Sequence, residues 1–399
     1  MMDSSLPAAS LHIPISESAI PDVSIIIPAR NEEASLGDCL TSLTAQTGVA
    51  FQIIVVDDDS TDDTREIAES FPGVRVISAG PLPTGWTGKN NALVAGSRQA
   101  SGRWLLFTDA DTVHVLGSLA RALAEAKENQ AEMLSYSPEQ IAVTFWEMAV
   151  LPVVFAELAR QYPPQKVGDP ASPLAAANGQ YILIRRETYD AVGGHTAIGD
   201  NLLEDVALAR AVKGAGRSLR FRYAADAVRT RMYRSFRQLR EGWTKNLALL
   251  FPNPGWLAVR RLLWWGGAWG FAFFPVIAFA AATVAERFGF VSAGQTLFHW
   301  SGLIRSTWWG PLFLVLTMPL LARLRRANFT WDMEVLGALF GMPMFSYLLL
   351  RSKKAQTGGQ VLWKGRAYSV VTRNENLPEN MQFTKPMSRI KSHGLRAKS

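Results

Sequence analysis

Four stretches of the sequence place chemistry-bearing side chains where apolar runs end or helices begin. In "LLFTDADTVH" (105–114) an apolar run closes on Asp109 and Asp111. In an extended chain, residues i and i+2 point to the same side with Cα atoms roughly 6.5–7 Å apart. Two carboxylates so placed can hold one hard divalent cation, Mg2+ or Mn2+, and leave its other positions to phosphate oxygens. The same residues also suit a strand ending in a turn capped by Asp111, and the pair alone decides nothing. "VVDDDSTDDT" (55–64) holds five aspartates in ten residues. Asp62 and Asp63 suit the first turn of a helix. Asp57 and Asp58 stand at a strand end, where a carboxylate caps a turn or accepts from a nucleobase N–H or a ribose hydroxyl. In "GWTGKNNAL" (85–93) two glycines precede Lys89 at a helix start. Backbone N–H groups and an ammonium there suit a diphosphate, although neither a Walker loop nor a GxGxxG turn is present. In "LLEDVALARAV" (202–212) Glu204 and Asp205 open an amphipathic helix. Acids at a helix N-terminus need no further reason, but an aspartate within reach of an acceptor hydroxyl can also take its proton.

The elements that must position these residues alternate. Short β-branched runs at 23–29, 51–58, 74–79 and 103–109 read as strands, and helical spacing appears at 32–46, 60–71 and 89–100. Ser60 or Thr61 is the expected cap of the second helix. Such alternation predicts an α/β fold with a mostly parallel sheet covered on both faces. Ligands of these sheets sit beyond the carboxyl ends of the strands, where Arg30, Asp58 and Asp109 fall.

Charge divides the chain differently. Residues 1–209 carry 12 Lys/Arg against 27 Asp/Glu, residues 210–261 carry 13 against 2, and residues 351–399 carry 11 against 2. Between the basic bands lie uncharged runs of 24 residues (262–285), 17 (306–322) and 16 (335–350). The first is long enough to span a bilayer and the others lie near the limit. Basic bands beside apolar runs fit the cytoplasmic flanks of a membrane better than a nucleic-acid surface. Arg260 and Arg261, the 323–326 arginines, and Arg351 with Lys353 and Lys354 all look cytoplasmic, which leaves the crossing count open. Residues 141–160 are apolar but carry Glu147 and Glu157, which suits a core or interfacial helix better than a span. Paired tryptophans at 264–265 and 308–309 suit a membrane interface. The single cysteine, Cys39, excludes an intrachain disulfide. The expected organisation is a flexible leader (1–20), an α/β domain (21–250), a transmembrane or interfacial helical region (251–350) and a basic tail (351–399).

Taken in order, "VSIIIPARNEE", "IIVVDDDSTDDT", "GWTGKNNAL", "LLFTDADT", "NGQYILIRRETYDAVGGH" and "LLEDVALAR" resemble the family 2 glycosyltransferases. The resemblance runs over residues 22–250. It implies the GT-A fold and inverting transfer from a UDP- or GDP-sugar. It places the nucleotide sugar against Pro28, Ala29, Arg30, Glu32, Asp58, Lys89 and Asp109, the metal at Asp109 and Asp111, and the base at Asp205. "EGWTKN" (241–246) and "WKGRAY" (363–368) are similar to bacterial membrane enzymes that glycosylate lipids, including carotenoid- and hopanoid-associated members. The Gln-x-x-Arg-Trp of processive synthases is absent, since Gln238, Arg240 and Trp243 have another spacing.

Further candidates follow. His114 is a candidate third metal ligand or a polar residue after the pair. His195, in Gly-Gly-His, suits the acceptor side or a turn. Glu204 stands beside the base, and Arg231 suits a phosphate or the basic band. The partners implied are a nucleotide sugar, a lipid acceptor and the inner membrane, crossed more than once with the catalytic domain cytoplasmic. A polyprenyl-phosphate acceptor is the alternative. A non-catalytic membrane scaffold would more typically lack the aspartate pair or the base.

Overall fold

The computed structural model describes residues 20–288, parts of 315–325, and 329–369. The leader up to residue 19, most of the 306–322 run and the tail beyond residue 369 lie outside the described residues. β1 (Val23–Ala29) is an inner strand, third in a seven-stranded sheet. It pairs in parallel with β2 (Phe51–Asp57) on one side and β4 (Trp104–Phe107) on the other. β3 (Val74–Ser78) extends the β2 edge in parallel. Beyond β4 come β8 (Ile182–Arg185), β6 (Met133–Ser137) and β9 (Leu219–Tyr223). β8 runs antiparallel to both of its neighbours, so the expected parallel sheet carries one reversed strand. Side chains alternate across β1 as the pleat requires. Ile25 and Ile27 join one core with Leu36, Leu40 and Leu43 of α1 (Leu36–Thr44), while Ile26 joins the other with Ile54, Val56 and Leu93. Both faces are buried, which explains the unbroken apolar run of β1.

Two helix starts differ from the sequence expectation. α2 is Thr64–Glu69 with Asp63 at its N-cap, not Ser60 or Thr61. The Asp62 carboxylate accepts from the Thr64 N–H and hydroxyl and from the Glu33 N–H, and this tie delays the helix. α3 (Gly88–Gln99) is capped by Thr87, whose hydroxyl accepts from the Asn90 N–H at 3.1 Å.

A third core joins α5 (Phe145–Gln161), α9 (Phe236–Asn246), α10 (Pro254–Arg287) and the helical run Trp331–Thr357. The two acids of α5 are buried ion pairs. Glu147 meets Arg231 at 3.2 Å, and Glu157 meets Arg261 of α10 at 2.7 Å. Arg261 is thus committed to the core rather than flanking a membrane segment as expected; a guanidinium this deep requires its carboxylate. Trp265 and Trp269 likewise donate to the carbonyls of Leu339 and Ala338, tying α10 to the C-terminal helix. Gly341 of that helix permits close packing, because a Cβ there would lie 2.0 Å from the Ala149 carbonyl oxygen. Among the described residues one helix, Trp331–Thr357, is long and apolar enough to cross a membrane, and just over half of its most apolar stretch is buried. The 335–350 run is part of this helix, and the 262–285 run is part of α10.

Candidate active site

A cavity of about 780 Å³ opens beyond the carboxyl ends of β1, β2 and β4. Three short connections supply its polar end. After β1, Arg30 donates to the carbonyls of Asp58 and Asp59, which locks the β1 and β2 turns together. Asp58 is held by its own N–H, bonded to the Ala29 carbonyl at 2.8 Å. Its carboxylate is buried, and burial lifts its pKa above the usual range against the pull of Arg366 and Arg30.

From the first turn of α3, Lys89 reaches the centre of the cavity. Its ammonium stands 2.7 Å from Asp109 Oδ1 and 2.7 Å from Glu204 Oε1. Burial lowers its pKa, but the two carboxylates outweigh that and raise it well above the ordinary lysine value. Glu204 is correspondingly lowered, since Lys89 and Lys245 offset its burial.

Asp109 and Asp111 follow β4 in a turn, not in the extended geometry expected from their spacing. The Thr112 hydroxyl donates to the Asp109 carbonyl at 2.7 Å and bends the chain there. Asp111 Oδ1 is buried without a hydrogen-bond partner. Burial first, then the charges of Asp109 and Glu32, push Asp111 up to about 7. A buried carboxylate oxygen of this kind has the chemistry to take a divalent cation. Among the described residues no set of three or more His, Cys, Asp or Glu could hold a metal. A divalent ion bound by this pair would therefore draw its other ligands from water and phosphate.

α8 (Glu204–Gly214) carries Asp205 at its start. Asp205 Oδ2 accepts from the Gly179 N–H at 3.0 Å, and Oδ1 accepts from the Val206 N–H at 2.8 Å. Burial and the Glu204 charge nevertheless raise Asp205 to about 6. The lining also includes the apolar or aromatic Phe155, Leu158, Tyr162, Met232, Trp243 and Leu250. Residues 24–192 match the family model Glycosyl transferase family 2. Residues 24–192 are thus a family 2 glycosyltransferase domain.

The chain is similar to the 4,4'-diaponeurosporenoate glycosyltransferase of Staphylococcus aureus strain MRSA252, with 27% identity over 87% of this chain and 88% of the relative. Against the protein of that name from strain USA300 the identity is 31% over 57% of this chain, which spans 60% of that relative. Among solved structures, a mannosyltransferase from Pyrobaculum calidifontis in complex with GDP-Man and Mn2+ aligns at 20% identity and a TM-score of 0.43, over 78% of this chain and 87% of that one.

The glycosyltransferase's cavity gathers Pro28, Ala29, Arg30, Glu32, Asp58, Lys89, Asp109, Asp111, Glu204, Asp205 and Arg231, all singled out from the sequence. Two histidines do not join them. His114 lies on β5 (Thr112–His114), with Nε2 3.1 Å from the Thr112 hydroxyl and 3.2 Å from that of Thr108. Burial pushes its pKa down to about 3. It is a neutral buried histidine in a threonine cage, away from the cavity lining, so its candidacy as a metal ligand is corrected. His195 is also outside the lining. Its Nδ1 is 3.0 Å from the Tyr189 hydroxyl and its ring packs edge-on against Phe107, so it braces the core rather than the acceptor side.

Sequence reasoning missed the cavity's last wall. β11 (Gln360–Trp363) and β12 (Arg366–Ser369) form a hairpin within the stretch expected to be a tail. Its Lys364 meets Glu32 and the Arg30 carbonyl, and its Arg366 meets Asp58 Oδ2 at 2.5 Å. The signal was present in "WKGRAY", whose two cations bracket a glycine at a hairpin tip.

Proposed function

We propose that the enzyme transfers a glycosyl group, with inversion, from a UDP- or GDP-sugar to a hydroxyl of a lipid or lipid-linked acceptor. The observation that carries this reading is a single cavity lined by carboxylates and by apolar or aromatic side chains, with Asp205 held by two backbone N–H groups. Pro28, Ala29, Arg30, Glu32 and Asp58 take the nucleoside. Asp109 and Asp111 would hold Mg2+ or Mn2+, which supplies charge screening for the departing diphosphate. Lys89 fixes the Asp109 and Glu204 carboxylates beside that site. Asp205 accepts the acceptor's proton as its oxygen bonds the anomeric carbon. The bond from that carbon to the phosphate oxygen breaks, and its electron pair leaves with the nucleoside diphosphate.

A lipid acceptor is supported by the apolar or aromatic lining and by the diaponeurosporenoate named for the S. aureus relatives. Membrane attachment is supported by α10, which exposes Leu263, Phe273, Ile277 and Val284, and by the helix Trp331–Thr357. An apolar face of that size marks a membrane or partner contact. Because nucleotide sugars are made in the cytosol, the catalytic domain faces the cytoplasm at the inner membrane.

One observation favours an anionic acceptor as the second reading. Lys245 lines the cavity over the Trp363 ring at 5.3 Å, and among the described residues no carboxylate lies within ion-pair distance of it. A phosphate or carboxylate oxygen there would attack already ionised, with no need of a base. Membranes containing the protein, incubated with labelled UDP- and GDP-sugars and then extracted for lipid, test both readings. Label in the organic phase that disappears in Asp205→Asn supports the hydroxyl acceptor, and label that survives that substitution supports the anionic one. No transfer to lipid from any donor would refute both.

A further inference from the structure

We propose that Lys364 and Arg366 belong to the donor site, as the cations that grip the diphosphate of the nucleoside-diphosphate sugar. This rests on the glycosyl-transfer reading. Among the described residues the β11–β12 hairpin pairs with no other strand. It is seated on the cavity by side-chain contacts and by Arg30 Nε, which donates to the Lys364 carbonyl at 3.4 Å. Lys364 meets Glu32 and the Arg30 carbonyl, Arg366 meets Asp58 and stands 3.8 Å from Asp59, and Trp363 receives the Lys245 ammonium on its ring. Lys364 and Trp363 line the cavity directly. At the tip, Lys364 has φ +44° and Gly365 φ +77°, the tight hairpin geometry that turns the chain between the two cations.

The charge around the cavity gives these residues their role. A diphosphate entering here meets Asp109, Asp111, Glu204 and Asp205. Of the other lining cations, Lys89 is committed to Asp109 and Glu204 and Arg231 to Glu147, while Lys245 lies over the Trp363 ring. Glu32 and Asp58 are the carboxylates assigned to the nucleoside. Once nucleoside hydroxyls or N–H groups occupy them, the hairpin's ammonium and guanidinium are released beside the incoming anion. A guanidinium fork suits two phosphate oxygens, and an ammonium suits a third as a point charge.

The test is calorimetric titration of UDP and of GDP into the full chain in detergent with Mn2+, for wild type, Lys364→Gln, Arg366→Gln and Arg366→Lys. Each glutamine variant should weaken nucleotide binding about tenfold or more, and Arg366→Lys by less, since a charged hydrogen bond to phosphate is lost or only partly kept. Thermal unfolding without nucleotide checks that each variant is folded, and Arg366→Lys reads the effect should a glutamine variant fail that check. Unchanged or tighter binding overturns the proposal, because the hairpin would then be a plug that competes with the nucleotide. Wild type that binds neither nucleotide overturns the glycosyl-transfer reading as well, whereas wild-type binding untouched by these substitutions overturns only the hairpin's role.

Discussion

Asp205→Asn should separate activity from stability. The wild-type carboxyl sits at about 6, against roughly 3.9 in an unfolded chain. Its folded pKa is raised, so the folded state holds the proton more tightly. The native state is therefore favoured below the unfolded pKa, and that advantage is lost as pH rises through about 4 to 6. The loss is at most about 3 kcal/mol, at 1.36 kcal/mol per unit. Activity on a hydroxyl acceptor needs the opposite form. It should be half-maximal near pH 6 and fall to about a tenth one unit lower. In Asp205→Asn the base is gone, and transfer should drop by about 10² to 10⁴. The pH 4–6 limb in stability should vanish with it. The amide can accept from only one of the two N–H groups that now hold the carboxylate, so the variant's absolute stability is a poor readout and its slope against pH is the useful one. Donor titration, lipid-extraction kinetics from about pH 5 to 8, and denaturant unfolding from about pH 4 to 7 measure all three. Undiminished transfer to a hydroxyl acceptor, or an unaltered stability limb in the variant, would refute the reasoning.

Three further outcomes are expected. If Asp111 is a metal ligand as proposed, Mn2+ alone should raise the melting temperature of wild type and not of Asp111→Asn, whose native Oδ1 has no hydrogen-bond partner among the described residues; an equal rise in both would remove the metal site. His114→Asn should leave the Mn2+ dependence of nucleotide binding unchanged, because its ring is bonded to Thr108 and Thr112, and a lost dependence would restore it as a ligand. Arg261→Met should destabilise by about 1.5–3 kcal/mol through loss of the guanidinium 2.7 Å from the buried Glu157 carboxylate, and its effect should couple to that of Glu157→Leu; denaturant unfolding in detergent in which the two effects simply add would contradict the buried pair.

The polar end of the cavity was legible because strand ends converge on it. β1, β2 and β4 are neighbours in parallel register, so Arg30, Asp58 and Asp109, distant in sequence, had to meet. β8 was not legible as a reversed strand, because a short buried apolar run reads the same in either direction. The turn at Asp109–Asp111 was hidden for a different reason. Spacing of two residues fixes a shared side only in extended chain, and the Thr112 hydroxyl bends this stretch. Arg261 and the hairpin share a cause as well. A basic residue near an apolar run looks like a membrane flank unless its carboxylate is known, and Glu157, Glu32 and Asp58 are all remote in sequence from their cations.

The carboxylates of the cavity come in two sequence-adjacent pairs, and Lys89 treats both pairs alike. It binds Asp109 and leaves Asp111, and it binds Glu204 and leaves Asp205. Glu204 keeps its charge in a buried place because an ammonium stands 2.7 Å from it. The unpaired members carry the cost of burial plus the repulsion of their neighbours, and both rise, Asp111 to about 7 and Asp205 to about 6. Sites that run two kinds of carboxylate chemistry divide their acids in this way. An acid near 7 is about half protonated at neutral pH, and a cation bound there would displace that proton. An acid near 6 is ionised at neutral pH yet basic enough to accept a proton, which suits a general base. One lysine at the first turn of α3 thus pairs with two of four acids and leaves unpaired with it the two proposed as metal ligand and base.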